Sequence, residues 1–172
     1  MTLLTENCPW QTLMDGPYDR WQQHSAEVQK DYEAGKLDER TARKRIWGFG
    51  DMLVHGCNTK AERIACVLGK LNQQIENGGV IQWVDNGYAY GSIDYLEDFL
   101  TECGPTGVEI WTMLKPFLED YMDEDGEGIR QYDEEEGEWE EAFGVSDRLS
   151  DKFYALQEKW HPEVYALLAK QD

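Results

Sequence analysis

The 172-residue chain is short of the features that mark several large functional classes. No stretch approaches the roughly 18 consecutive apolar residues of a membrane span, so no membrane partner is expected. The opening MTLLTENCPWQTL has neither the basic region nor the apolar region of an export signal, and a cytoplasmic location is the expectation. The four cysteines, Cys8, Cys57, Cys66 and Cys103, form no CxxC pair. Without a signal peptide they read as reduced thiols, most of them facing a core. There is no GxSxG elbow and no local Cys/His nucleophile pattern. ENGGVIQ has glycines but lacks the Lys-Ser/Thr of a phosphate loop. His55 and Cys57 adjoin in HGC, yet His24 and His161 are remote in sequence, whereas structural zinc wants two close pairs. The expectation is a protein that is no enzyme, with no cofactor and no metal.

Basic residues are also scarce, and unevenly so. Residues 1–70 carry 10 acids and 10 bases, whereas residues 71–172 carry 25 acids and 6 bases. The formal net charge of −19 therefore arises entirely in the second part. Such a field repels DNA, RNA and anionic lipid and attracts basic proteins. Direct nucleic-acid binding is not expected. The charge peaks in EDYMDEDGEGIRQYDEEEGEWEEAF, residues 119–143, where 13 of 25 residues are acids and Arg130 is the only base.

What the chain has in quantity is helical periodicity, on 41% hydrophobic residues and seven tryptophans. Trp21, Ser25, Val28 and Tyr32 recur at helical spacing behind Pro17, read as a first-turn proline, and Gly35 ends the run. Asp38 is placed to cap a second helix, whose latter half is weakened by Gly48 and Gly50 at about 1 kcal/mol each against Ala. Thr59 and Glu62 form a capping-box pattern, followed by an apolar stripe of Ala61, Ile64, Ala65, Leu68, Leu71 and Ile75. Asn77-Gly78-Gly79 stops that helix. VIQWVDNGYAY, residues 80–90, reads as a short helix ending at Asn86-Gly87, because no second strand exists to pair with it. Ser92 is read as the cap of the next helix, which Gly104-Pro105 ends. Trp111, Leu114, Leu118 and Tyr121 follow with a kink expected at Pro116. After the acidic stretch, Ser146 is read as a cap for a helix with Leu149, Phe153, Leu156 and Trp160 on one side, broken at His161-Pro162. The expected fold is all-α, a single compact domain over residues 1–172 of seven or eight helices with an acidic inter-helix segment.

Two segments carry a family resemblance. LNQQIENGGVIQWVDN (71–86) resembles the Asn-Gly-Gly core of the DNA-mimic protein nineteen-like family, through Asn77, Gly78, Gly79, Gln82, Trp83 and Asn86. Val80 stands where the family often has an aromatic residue. LSDKFYALQEKWHPEVYALLAK (149–170) is similar to the family's closing helix pair, and ECGPTG (102–107) to its glycine corner. The resemblance covers about 60–170 and leaves about 1–58 as an N-terminal helical extension. It implies an all-α domain that mimics DNA and sequesters a DNA-binding transcription factor, and it leans toward a homodimer.

The residues themselves allow a basic DNA- or RNA-binding protein as partner. B-DNA presents one charge per about 1.7 Å of axis counting both strands. Acids three or four residues apart on a helix stand about 5–6 Å apart, near the spacing of phosphates along one strand. The expected partner surface comprises Glu119, Asp120, Asp123, Glu124, Asp125, Glu127, Asp133, Glu134, Glu135, Glu136, Glu138, Trp139, Glu140 and Glu141. Tyr121, Tyr132 and Trp139 would be its aromatic anchors. A transcription factor, a nucleoid protein or a nuclease complex of phage defence would fit equally. Two alternatives use the same stretch. DEDGEGIRQYDE (123–134) places Asp123, Asp125, Glu127, Gly128 and Glu134 at EF-hand loop positions, but Arg130 occupies the position expected to be apolar, and no second loop pairs with it. The other alternative is a helical interaction protein whose acids serve only solubility.

Overall fold

The computed structural model describes residues 9–122 and 138–171. Among these residues seven helices follow one another: α1 Pro9–Glu33, α2 Glu39–Trp47, α3 Phe49–His55, α4 Lys60–Asp85, α5 Tyr88–Cys103, α6 Pro105–Tyr121 and α7 Glu138–Leu168. Among the described residues there is no strand, and no helix is long and apolar enough to cross a membrane. The expected all-α single domain is what forms.

The centre is α4, which packs against α1, α5 and α7. Its N-terminus is the capping box read from the sequence. Thr59 Oγ1 accepts the Glu62 N–H at 3.1 Å, and the Glu62 carboxylate accepts the N–H groups of Asn58 and Thr59. Behind it Ile64, Ala65, Leu68, Leu71 and Ile75 are buried with essentially no exposed surface. Leu96 and Leu100 of α5, Ile110 and Leu114 of α6, and Phe153 and Trp160 of α7 complete this core. Asp38 caps α2 as expected, accepting the Thr41 N–H at 2.9 Å. The helix after it divides at Gly48, which closes α2 and opens α3. Gly50 is used for contact instead: α3 crosses α5 where a Cβ on Gly91 would lie 2.6 Å from the Gly50 nitrogen.

Four local expectations are corrected. Helix α1 starts at Pro9, so Pro17 lies in its interior. The missing N–H and ring clash of an interior proline cost about 3 kcal/mol. Burial of Trp10 and Met14 upstream offsets this, at about 1.5–3 kcal/mol for each large apolar side chain. Trp10 sits in an aromatic cluster with Trp160, His161 and Tyr165, at centroid separations of 5.9, 5.4 and 5.7 Å. Ser92 is no cap: it lies one turn inside α5, and its hydroxyl donates to the Tyr88 carbonyl at 2.7 Å. Ser146 likewise lies within α7, fully buried. Finally, α7 runs through Pro162 to Leu168, so the closing pair is one helix. Trp160, Val164, Leu167 and Leu168 on both sides of the proline are buried, and that shared face keeps the helix continuous.

Helix α1 is tied to α4 by charge as well as packing. Arg20 of α1 reaches the Glu62 carboxylate at 2.7 Å and donates from Nε to the Gly56 carbonyl at 2.6 Å. Burial alone would raise the Glu62 pKa, but Arg20 and the two N–H donors outweigh it and hold the carboxyl below its ordinary 4.5. A depressed carboxyl contributes stability that is fully present above its unfolded pKa and is lost as pH falls through the folded value. Glu62→Gln is therefore expected to cost about 1 kcal/mol near neutral pH, with the gap to wild type closing below pH 4.5; urea unfolding of both proteins against pH measures it. Leu68→Ala, at the centre of the buried stripe, is expected to cost about 2–5 kcal/mol in the same assay. A loss under about 1 kcal/mol would mean that α4 is peripheral.

Candidate protein-interaction surface

The Asn-Gly-Gly segment sets the geometry of the family-like region. Gly78 (φ −165°, ψ 20°) and Gly79 (φ 80°, ψ 179°) interrupt α4, and a second helical segment restarts at Val80. A restarted helix has unpaired N–H groups at its start and unpaired carbonyls at the end of the previous segment. Both sets are served from α7. Ser150 Oγ accepts the Val80 N–H at 3.0 Å, and Ser146 Oγ accepts the Ile81 N–H at 2.8 Å. Ser150 in turn donates to the Ser146 carbonyl at 2.8 Å. Tyr154 donates its hydroxyl to the Ile75 carbonyl at 2.7 Å. Gly79 admits these serines because its φ is positive and because a Cβ there would lie 2.9 Å from Ser150 Oγ. The row continues with Gln157, which donates to Asn72 Oδ1 at 2.9 Å and to Glu76 Oε1 at 3.1 Å. His161 Nε2 meets the same Asn72 oxygen at 3.1 Å. Burial holds the His161 pKa below its ordinary value against the charge of Glu76.

The remaining motif residues are structural too. Gln82 and Asn86 both donate to Gln74 Oε1, at 3.2 and 2.8 Å. They pin the two segments of α4 to each other. Trp83 and Val80 are fully buried. Outside the corner, Glu76, Asn77, Asp147, Asp151 and Tyr154 border an open cleft of about 440 Å³.

The acidic surface has an ordered part that composition alone did not single out. From Asp85 to Met122 there are eight acids and one base, Lys115. All eight acids are exposed: Asp85, Asp94, Glu97, Asp98, Glu102, Glu109, Glu119 and Asp120. Asp94, Asp98 and Glu102 follow at four-residue steps along α5, with Glu97 beside them. Their helical spacing was visible in the sequence, but the denser run at 119–143 drew the reading away from it. Lys60 neutralises one of them, Glu102, at 2.7 Å. Glu119 and Asp120 stand in the last turn of α6, where the helix dipole is already negative, and acids there are unfavourable by some tenths of a kcal/mol. Lys115 approaches Glu119 only to 3.8 Å.

Of the residues expected to bind a partner, the fold brings Glu119 and Asp120 to the end of α6 and Glu140 and Glu141 to the start of α7, all exposed. These two ends meet. Burial raises the Tyr121 pKa, and the charges of Glu141 and Asp120 raise it further, against Arg148. Phe143, 48% exposed, lies one turn beyond them and was missed as an apolar anchor. Asp123, Glu124, Asp125, Glu127, Asp133, Glu134, Glu135 and Glu136, and with them the calcium template at 123–134, lie outside the described residues. Glu138 and Trp139 fall in the first turn of α7, but their side chains are also outside that description.

Among the cysteines, Cys57 and Cys66 are free, buried thiols that face one another in a hydrogen bond, and Cys103 is half-buried, its pKa pushed up to about 12 first by burial and then by Glu163. His24 and His55, 31 residues apart in sequence, are stacked at 4.0 Å beside Asp51.

A broken central helix held by hydroxyls of the last helix, with an acidic face on the two helices between, defines an all-α protein built as a single rigid acidic scaffold. The chain belongs to the family described as DMP19-like protein, whose family model matches residues 58–171. No curated protein and no solved structure gives a significant match.

Removing the hydroxyls tests the corner directly. Ser150→Ala and Ser146→Ala each leave a buried N–H without its acceptor, which costs about 1–3 kcal/mol. Losses within about 0.5 kcal/mol by chemical denaturation, the range of ordinary surface substitutions, would mean that water serves these groups instead.

Proposed function

We propose that this protein is a DNA mimic that occupies the basic nucleic-acid groove of a DNA- or RNA-binding protein and blocks it. The observation that carries this reading is the exposed, acid-rich face of α5 and α6, followed in sequence by the acidic run 119–143. Its acids stand at helical steps of about 5–6 Å on a scaffold already ordered. Two of them, Glu119 and Asp120, sit in the last turn of α6, where the helix dipole is already negative. A face kept for stability or solubility would not concentrate acids there, nor leave a single base among eight acids. Family membership supports the same reading, since the DMP19-like name denotes DNA mimicry.

Binding should depend on the summed field rather than on any single acid. Raising salt from about 50 to 200 mM should weaken capture of the basic partner steeply, as it weakens a protein's hold on DNA. Asp94→Asn, Glu97→Gln and Asp98→Asn together should reduce affinity without loss of helicity. Reversal of Asp133, Glu134, Glu135 and Glu136 to Lys should abolish the complex. Duplex DNA carrying the partner's site should compete for the same surface. If DNA and this protein occupy the partner together, or if both blocks leave affinity unchanged, mimicry is wrong.

A further inference from the structure

We propose that His24, Asp51 and His55 form a binding site for a zinc-class divalent transition-metal ion, joining α1 to α3. Asp51 and His55 share one face of α3 at four-residue spacing, and α1 carries His24 opposite them. Asp51 Oδ2 lies 3.3 Å from His24 Nε2, and Oδ1 lies 3.6 Å from His55 Nε2. The donor atoms of the three residues all lie within 4.8 Å of one another.

The distances are those of neighbouring ligands rather than hydrogen-bond partners, and the His24 and His55 rings, stacked at 4.0 Å here, would turn to aim one nitrogen each at a shared ion. N–H···O bonds run about 2.7–3.2 Å, and both contacts exceed that. Ligands around a tetrahedral zinc ion, with bonds of about 2.0–2.1 Å, stand about 3.3–3.5 Å from one another. His24 Nε2 and Asp51 Oδ2 are moreover shielded from solvent and make no aligned hydrogen bond, as do Trp21 Nε1 and Ser25 Oγ on the same turn of α1. Shielded polar atoms in folded proteins are nearly always paired, and an unpaired group points to a water or an ion.

The donor set selects the ion class. Two imidazoles and one carboxylate suit zinc and its neighbours, whereas calcium takes six to eight oxygens. Three protein ligands leave a fourth position for water. His55, 43% exposed at its side chain, gives the ion a way in. Nearby cationic charge is engaged elsewhere, since Arg20 is bound by Glu62 and Gly56. Cys57 adds nothing, because its thiol faces Cys66. The site lies wholly before residue 58, where the family match begins, so it is a property of the N-terminal helices.

The test uses the full chain, stripped with chelator and titrated with zinc, then with cobalt, with magnesium at equal concentration as control for the acidic face. One zinc per chain is expected, with a rise in melting temperature that magnesium does not reproduce. The cobalt form should show tetrahedral d–d absorption without a thiolate charge-transfer band. His55→Gln, at an exposed position that leaves the fold intact, and Asp51→Asn should each weaken zinc binding at least about tenfold, the loss that even an outer-shell partner can cause. Wild-type affinity retained in both variants, a thiolate band, or a melting temperature that zinc and magnesium raise equally would overturn the proposal.

Discussion

The rest of the molecule depends on the repair of a broken helix. Interrupting α4 at Gly78-Gly79 turns the chain inside the core, where unpaired backbone groups are most costly. Helix α7 carries the repair as a single polar row, Ser146, Ser150, Tyr154, Gln157 and His161, at four- and three-residue steps along one face. The first two accept N–H groups from the restarted segment, the third donates to a carbonyl of the segment before, and the last two grip Asn72. The same helix caps α6, where the Glu163 carboxylate accepts the N–H groups of Thr106 and Gly107 at about 3.1–3.2 Å. It sits against Gly104, whose φ of 142° suits only glycine and where a Cβ would lie 3.1 Å from that carboxylate. Two helix starts far from α7 in sequence are thus completed by it in space. This fixes the order of packing: α5 and α6 are held between a corner and a cap that both belong to the last helix.

That arrangement separates two uses of negative charge. Glu163 and Glu62 are placed at helix N-termini, where the dipole and unpaired N–H groups favour an anion, and they are largely enclosed by their partners. Asp94, Glu97, Asp98 and Asp120 face solvent on helices whose apolar sides are fully engaged in the core. Their mutual repulsion is borne by the buried face of α5 and α6, with Leu96, Leu100, Ile110, Leu114 and Phe117. A basic groove closing over such a face would remove the repulsion. On the proposed reading, the energy stored in crowding like charges on a folded surface would be returned on binding, where a chain free to spread its acids would have none to return.

The elements legible in the sequence are those whose signals are local. The Thr59–Glu62 box, the Asp38 cap, the apolar stripe of α4 and the stop at Asn77-Gly78-Gly79 all act within a few residues of themselves, and each forms as read. The family resemblance rested on the same corner. What failed were residues whose partners lie far along the chain. Ser146 was read as the cap of its own helix because serine before an apolar run means that locally; here it caps residue 81, and only the packing of α7 on α4 could show it. Pro17 and Pro162 were read as boundaries because proline disfavours a helix interior, and burial on both sides overrode the preference. The exposed acids of α5 are legible by spacing but outweighed by the denser run after them, and the approach of Glu141 to Tyr121 depends on how α6 and α7 pack.

The N-terminal helices enter this scheme as a clamp more than as a separate body. Trp10 closes over Trp160, His161 and Tyr165 at the C-terminal half of α7, and Arg20 bridges to the first turn of α4 through Glu62. The two contacts grip α7 beyond its polar row and α4 at its capped start. Pulling them apart requires α7 to leave the corner that its serines complete. Helices α2 and α3 have no comparable hold on α4; their packing is against α1 and α5. The contact between His24 and the Asp51–His55 pair is where α3 meets α1 through polar groups. An ion bound there would lock α3 to α1, and Arg20, one turn from His24, ties α1 in turn to the capped start of α4.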